Sequence, residues 1–358
     1  MSSGPRAAES FDEGLIERIA LAAQRWSPGA TVQSSDAVTK GSSGLTYSVL
    51  LADGIGQPVP AYVKVAPPGL PPVANRDVLR QAAVIEELHQ EGSVPVARVL
   101  FEDAGSPPDI PPFFVTAAVT GSCLEPLIDE GPLPAAAVLM ARSTNAAQVL
   151  ARLHRFDPAS LRSRDLGNSV EFADLLGEVD RWARVFATLQ RRGADAAAGT
   201  ADIALMRQAE SCAERLRASV PQPLTSVVVH GDFRLGNLVC DDSEVRAILD
   251  WEIWSLTDPR IDVAWFLMTL SPDGLPSAIR AEAPGLLGSD AAIAVYEEAT
   301  GAHLTDLNWF AALSRFRSAA AMLLNIKHNR RRPEPNPRIE SYAPRLPSFL
   351  SIAADFLA

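Results

Sequence analysis

The chain has 358 residues, 47% of them apolar and 21% charged, with a formal net charge of −11. This length suggests two domains, and the composition excludes a disordered or fibrous chain. The acidic balance argues against nucleic acid as a partner, because duplex binding needs a basic face. Cys123, Cys212 and Cys240 are too widely spaced to form a Cys-x-x-Cys metal pair, and no disulfide framework is readable. The start, MSSGPRAAES, lacks the basic and apolar regions of a signal peptide, and no apolar run reaches about 18 residues. The expectation is a cytoplasmic protein with no membrane partner.

Phe11–Trp26 places Leu15, Ile16, Ile19, Ala20 and Ala23 at helical spacing, which predicts an amphipathic helix. Val38–Gly54 reads as strand, Gly/Ser turn and strand, and PAYVKVA as a third strand stopped by prolines. Arg76–Glu91 predicts a helix through Leu79, Ala83, Ile85 and Leu88, followed by strands within GSVPVARVLFEDAG and Pro111–Gly121. From about Leu133 the texture turns helical: one helix over Ala135–Phe156, Ala-rich helices up to Val220, and three more after Asp262. The reading is α+β, with a β-rich first part over 1–118 and a helical second part over 119–358.

Two apolar runs break this pattern by ending in acids. VVVHGDFRLGNLV (Val227–Val239) presents Asp232 and, after four intervening residues, Asn237; AILDWE (Ala247–Glu252) ends at Asp250. A single Asp after a strand is most often a turn or cap residue. An acid with the D-x-x-x-x-N spacing and a second acid after the next strand instead fit phosphoryl transfer. That chemistry needs a carboxylate to orient the attacking hydroxyl, oxygen ligands for Mg²⁺ and a cation for the phosphates. Lys64 supplies a cation inside an otherwise apolar strand, where a merely solvated lysine is out of place. His154 reads as a packed, hydrogen-bonded histidine, and Trp182, Trp251 and Trp265 as core or pocket wall. The basic run KHNRRR (Lys327–Arg332) reads as a helix end or as a clamp for an anionic substrate.

At HGDFRLGN, ILDWE and TDPRIDVAW the sequence resembles the aminoglycoside phosphotransferase-like kinase superfamily. Its texture is most similar to bacterial phosphotransferases related to the kinase-like domain attached to some acyl-CoA dehydrogenases. The resemblance implies a protein-kinase-like fold: a β-rich N-lobe that binds nucleotide and a larger helical C-lobe that carries catalysis and acceptor binding. It implies ATP and Mg²⁺ as cofactors and a small-molecule hydroxyl acceptor as partner. Asp232 would be the catalytic base, Asn237 and Asp250 the Mg²⁺ ligands, and Lys64 the contact to the α/β-phosphates. His230 and Asp262 would brace the loop. The turn Gly41-Ser42-Ser43-Gly44 would cover the nucleotide; Val49, Val63, Leu238 and Ile248 would line the adenine, and the backbone from Thr116 to Ala118 would bond it. Acceptors divide into hydroxyacyl-CoA-like metabolites, aminoglycoside- or macrolide-like antibiotics and choline-like amino alcohols. One departure stands out. Gln81 occupies the position where the family pattern expects the Glu that pairs with the strand-three lysine, with Asp77 or Glu86 as substitutes. It opens the alternative of a kinase-like protein that binds nucleotide with little turnover. The lack of HRD, DFG and APE segments speaks against a protein kinase.

Overall fold

The computed structural model describes residues 4–38, 45–162, 174–193, 200–272, 275 and 278–358. In chain order its elements are α1 (Gly4–Trp26), β1 (Thr31–Ala37), β2 (Leu45–Ala52), β3 (Pro58–Val65), α2 (Val78–Glu91), β4 (Val99–Asp103) and β5 (Phe113–Ala117). Then follow α3 (Ala136–Arg155), α4 (Ala159–Arg162), α5 (Leu175–Gly193) and α6 (Thr200–Ala218). The central segment holds β6 (Val227–Val229), β7 (Leu238–Asp241), β8 (Glu244–Ile248) and β9 (Ser255–Thr257). The chain closes with α7 (Arg260–Thr269), α8 (Ser289–Thr300), α9 (Leu307–Asn329), α10 (Pro337–Glu340) and α11 (Leu346–Asp355). Contacts divide it into two compact units: residues 1–121 with 159–169 and 246–253, and the remainder.

In the first unit β1-β2-β3-β5-β4 form an antiparallel sheet. Alternation along a strand sends Ala61, Val63 and Val65 to one face and Tyr62 and Lys64 to the other. The first set joins Val49, Leu51, Phe113 and Val115 in a core closed by Leu15, Ile19 and Ala22 of α1. Burying each large apolar side chain there contributes roughly 1.5–3 kcal/mol. β1 was not expected as far back as Thr31. It is a mostly exposed edge strand of polar residues, TVQSSDA, so no buried face marks it in the sequence. α2 starts where Asp77 Oδ1 accepts the Arg80 N–H at 3.0 Å and stops at Gly92, whose φ of 84° suits glycine.

The second unit is helical. Its core gathers α5, α6, α7, α9 and α11 around Leu216, Phe310, Phe316 and Leu350, each with no exposed surface. Trp309 stacks edge-on against Phe310 with centroids 4.9 Å apart. β6 and β9 pair antiparallel, Val228 opposite Leu256. β7 and β8 form a two-stranded sheet, with Asp242 in the left-handed conformation between them. Cys212 and Cys240 are buried and Cys123 is exposed, all three as free thiols. No helix among the described residues is long and apolar enough to cross a membrane.

Candidate active site

In the second unit the loop after β6 is held by its own backbone. The His230 and Gly231 N–H groups donate to the two oxygens of Asp262 at 2.6 and 2.8 Å. Asp262 lies in the first turn of α7 and has no exposed surface. Burial pushes its carboxyl up. The hydrogen bond and charge of His154, the charge of His230 and the His230 N–H outweigh that and bring it below the ordinary value. His154 Nε2 lies 3.4 Å from Asp262 Oδ2, and His154 Nδ1 lies 2.7 Å from the Tyr296 hydroxyl. Burial and the Asp262 charge push the Tyr296 hydroxyl up, so it keeps its proton. His154 is therefore the packed, bonded histidine expected, and His230 Nδ1 accepts the Asp232 N–H at 3.1 Å.

That brace presents Asp232 to a ring of donors. Trp265 Nε1 donates to Oδ1 at 2.8 Å, and Asn237 Nδ2 donates at 2.8 Å both to Oδ2 and to the Asp232 carbonyl. Arg234 Nε lies 3.3 Å from Oδ1. The carboxylate is fixed in one rotamer, with lone pairs left to accept a hydroxyl proton. Arg234 also reaches back: its Nη1 donates to Glu125 Oε2 at 3.1 Å, and the same oxygen accepts the Gly236 N–H at 3.1 Å. Glu125 is 2% exposed and its Oε1 is buried without a hydrogen-bond partner. Burial pushes its carboxyl up to about 7, against the pull of Arg234 and the Gly236 N–H. Burial disfavours the Arg234 charge, but Asp232 and Glu125 hold the guanidinium protonated. Packing at this point is close: a Cβ on residue 236 would come within 2.4 Å of Arg234 Nη1 and 3.1 Å of Glu125 Oε2, so a larger residue would have to displace the Arg234 side chain.

The first unit holds Lys64, Asp250 and Glu252. Lys64 Nζ sits 2.6 Å from Asp250 Oδ1 and 3.9 Å from Glu252 Oε2. Asp250 has a φ of 63°, a left-handed conformation unusual outside glycine. Glu252 follows in the single turn Trp251–Ile253, anchored by Trp251, whose Nε1 donates to the Ile248 carbonyl at 3.0 Å. Gln81 is buried and donates to the Asn75 carbonyl at 3.2 Å, while Asp77 caps α2. Neither supplies the partner of Lys64; Asp250 and Glu252 do.

One expectation needs correction. Val49 and Val63 lie on the α1 face, opposite Lys64, because odd positions of β3 and their cross-strand partners share that face. They are core of the sheet and do not share a surface with Lys64. The N–H groups of Ala117 and Ala118 donate to the Arg98 and Pro60 carbonyls at 2.9 Å each. Thr116, paired with Tyr62, does share the face of Lys64. Leu238 and Ile248 are buried. Gly41, Ser42, Ser43 and Gly44 lie outside the described residues. Along α5, Glu178 accepts from Trp182 and Arg181, and Asp180 pairs with Arg217, so these acids serve the helix pair. In the basic run, Arg330 pairs with Glu340 and Asn329 donates to the Asn336 carbonyl, pinning the connector before α10.

Glu125, Glu252 and the donor role of Trp265 were not read from the sequence. Arg234 and Trp265 stand inside the motifs that were, so motif membership was a usable signal. Glu125 lies 111 residues from Gly236 and carries none.

A unit with a five-stranded sheet and a helical unit with an Asp–Asn loop are the parts of a protein-kinase-like phosphotransferase. Solved structures bear this out. A putative aminoglycoside phosphotransferase from Ralstonia eutropha matches at TM-score 0.70 and 21% identity, covering 90% of this chain and 92% of that one. Spectinomycin phosphotransferase, solved with ADP and spectinomycin, matches at TM-score 0.61 and 12% identity, covering 96% and 98%. The chain itself belongs to the phosphotransferase enzyme family, whose sequence profile matches residues 36–301. Among curated proteins, acyl-CoA dehydrogenase family member 11 of Gallus gallus is 27% identical over 333 residues, 89% of this chain. Acyl-CoA dehydrogenase family member 10 of Mus musculus is 34% identical over 120 residues, 33% of this chain. The chain spans about 40% of the length of the first relative, and its match covers 10% of the second.

Proposed function

We propose that the chain transfers the γ-phosphoryl group of ATP to a hydroxyl of a small molecule. The observation that carries this reading is the setting of Asp232, a carboxylate clamped by Trp265 and Asn237 on a loop braced by Asp262. Such a group accepts the acceptor's hydroxyl hydrogen bond, aims its oxygen at the phosphorus and takes the proton as the new P–O bond forms and ADP leaves. Phosphoryl transfer asks little covalent chemistry of the protein, so positioning and charge are the main contributions. Lys64 would contact the phosphates. Asn237 and Asp250 would hold Mg²⁺, which when bound neutralises charge on the phosphate oxygens. The donor set fits: Asp250 offers a carboxylate, and Asn237 spends its Nδ2 on Asp232, keeping its carbonyl oxygen, a hard ligand of the kind Mg²⁺ takes.

Among acceptors we rank a hydroxyacyl-CoA-like metabolite first, supported by relatives named as acyl-CoA dehydrogenase family members. An aminoglycoside- or macrolide-like compound comes second, supported by the names of the solved neighbours. The test is transfer of labelled γ-phosphate to a panel of both classes, with Asp232→Asn as control. Label appearing in an acceptor with the wild type and not with the variant supports the reading. A second reading is a nucleotide-binding protein with little turnover, favoured by Gln81 bonding Asn75 and not Lys64. Nucleotide binding with no transfer to any acceptor would select it.

A further inference from the structure

Arg317 of α9 is a costly side chain to bury. It is 4% exposed, and among the described residues no carboxylate lies within ion-pair distance of it. Its Nη2 donates to the Gly231 carbonyl at 2.7 Å, while its Nε is buried without a hydrogen-bond partner. A guanidinium taken out of water without a paired carboxylate costs several kcal/mol, and an apolar residue would pack the same space without that cost. What the guanidinium does have is aromatic company. Its carbon sits 4.9 Å from the ring centroid of Trp265 and 5.5 Å from that of Trp182. The planar cation thus lies against two indoles, an arrangement that lysine's compact ammonium does not reproduce. Trp182 is itself fixed by its Nε1 bond to Glu178 at 3.2 Å.

The column ends at the reacting loop. Trp265 Nε1 donates to Asp232 Oδ1, and Gly231, whose carbonyl Arg317 holds, immediately precedes Asp232. Gly231 has a φ of 86°, and its N–H goes to Asp262, so Arg317 and Asp262 grip the same short stretch of backbone from two helices. We propose that Arg317 is a positioning residue for Asp232. It orients the Trp265 indole that bonds the carboxylate and holds the Gly231 carbonyl beside it. The role in catalysis rests on the reading of Asp232 as the group that orients the acceptor; the positional role does not.

The first test therefore uses no substrate. The chain has six tryptophans, so its indole N–H resonances can be resolved on the full-length protein, with that of Trp265 assigned from Trp265→Phe. Asp232→Asn replaces the charged acceptor and should move the Trp265 indole proton. In an Arg317→Met background the same substitution should leave it nearly unmoved, because the indole no longer aims at residue 232. Equal displacement in both backgrounds would overturn the proposal, as would no displacement by Asp232→Asn in the wild type. If Arg317→Met does not fold, Arg317→Lys serves: it keeps the charge and loses the planar fork, and intact coupling there also overturns the proposal. The second test is kinetic, with an acceptor from the panel. Arg317→Lys should lower kcat roughly 10- to 100-fold with the KM for ATP unchanged, and a change confined to KM would count against it. Intact phosphoryl transfer by Asp232→Asn, together with indole coupling as expected, would remove the reading of Asp232 as the group that orients the acceptor and leave the positioning intact.

Discussion

Asp232 and Glu125 are two carboxylates bridged by one guanidinium, and they differ in what surrounds them. Asp232 is partly open and surrounded by donors; Glu125 is closed off with one oxygen unsatisfied. Removing the Asp232 charge with Asp232→Asn should lower kcat roughly 100- to 10,000-fold while leaving nucleotide affinity intact, which steady-state kinetics and nucleotide titration would separate. Glu125 makes a different prediction. Its folded pKa, about 7, lies above the ordinary value of 4.5. The protonated form is therefore favoured by folding. That stability is fully present below about 4.5 and is lost as pH rises through about 7, amounting to at most roughly 3 kcal/mol. Glu125→Gln mimics the protonated form and removes this dependence. Urea unfolding at intervals from pH 5 to 8 should show the wild type falling relative to the variant; parallel curves would reject the assignment. Gly236→Ala acts on the same contact from the backbone side, since its Cβ would push Arg234 off Glu125. It should cost activity as well as stability.

At the scale of elements, α7 matters most to the site. It carries Asp262 and Trp265 three residues apart, so one helix face holds both the loop backbone and the Asp232 carboxylate. Its start is locked by Arg260, which bonds both oxygens of Asp258 at 2.9 and 2.7 Å and the Gln222 carbonyl at 2.7 Å, with Phe310 4.4 Å beneath. Arg260→Ala would strand a buried Asp258 and should cost about 3–5 kcal/mol of stability, measurable by denaturant unfolding; a loss under about 1 kcal/mol would mean the pair is not structurally needed. These cases also show what the sequence reveals. The spacing of Asp232, Asn237 and Asp250 is local and chemical, so it could be read directly. Helical periodicity placed α2, α3 and α9 to within a few residues for the same reason. Which face of a strand meets solvent is set by what packs on it. Even so, alternation alone puts Val63 opposite Lys64, so that error was avoidable. Glu125 and Arg317 are different: each acquires its role only through contacts distant in sequence, with Arg234 and Gly236 for Glu125 and with Trp182, Gly231 and Trp265 for Arg317, and nothing in their own neighbourhoods announces it.

At the scale of the whole molecule, each unit has its own apolar core, so heating need not unfold the chain in one step. This makes ligand-induced stabilisation informative about which unit binds. Lys64 and Asp250 belong to the unit with the sheet, and their ion pair already sets the lysine there without nucleotide. ATP with Mg²⁺ should raise the melting temperature by mass action, about 2.7 kcal/mol at a hundredfold excess over Kd, or a few degrees for a chain of this size. A net charge of −11 complicates the reading, because divalent cations screen acidic surfaces and can stabilise without any specific site. Mg²⁺ alone, ATP alone and both together must therefore be compared in wild type and Asp250→Ala. A shift that needs both ligands and vanishes in the variant identifies a metal–nucleotide site at Asp250. A shift with Mg²⁺ alone that survives the substitution is surface screening. Loss of the Asp250 partner leaves Lys64 only Glu252, 3.9 Å away. The variant should thus start slightly less stable, and the difference between its ligand shift and the wild type's, rather than either melting temperature, is the quantity that decides.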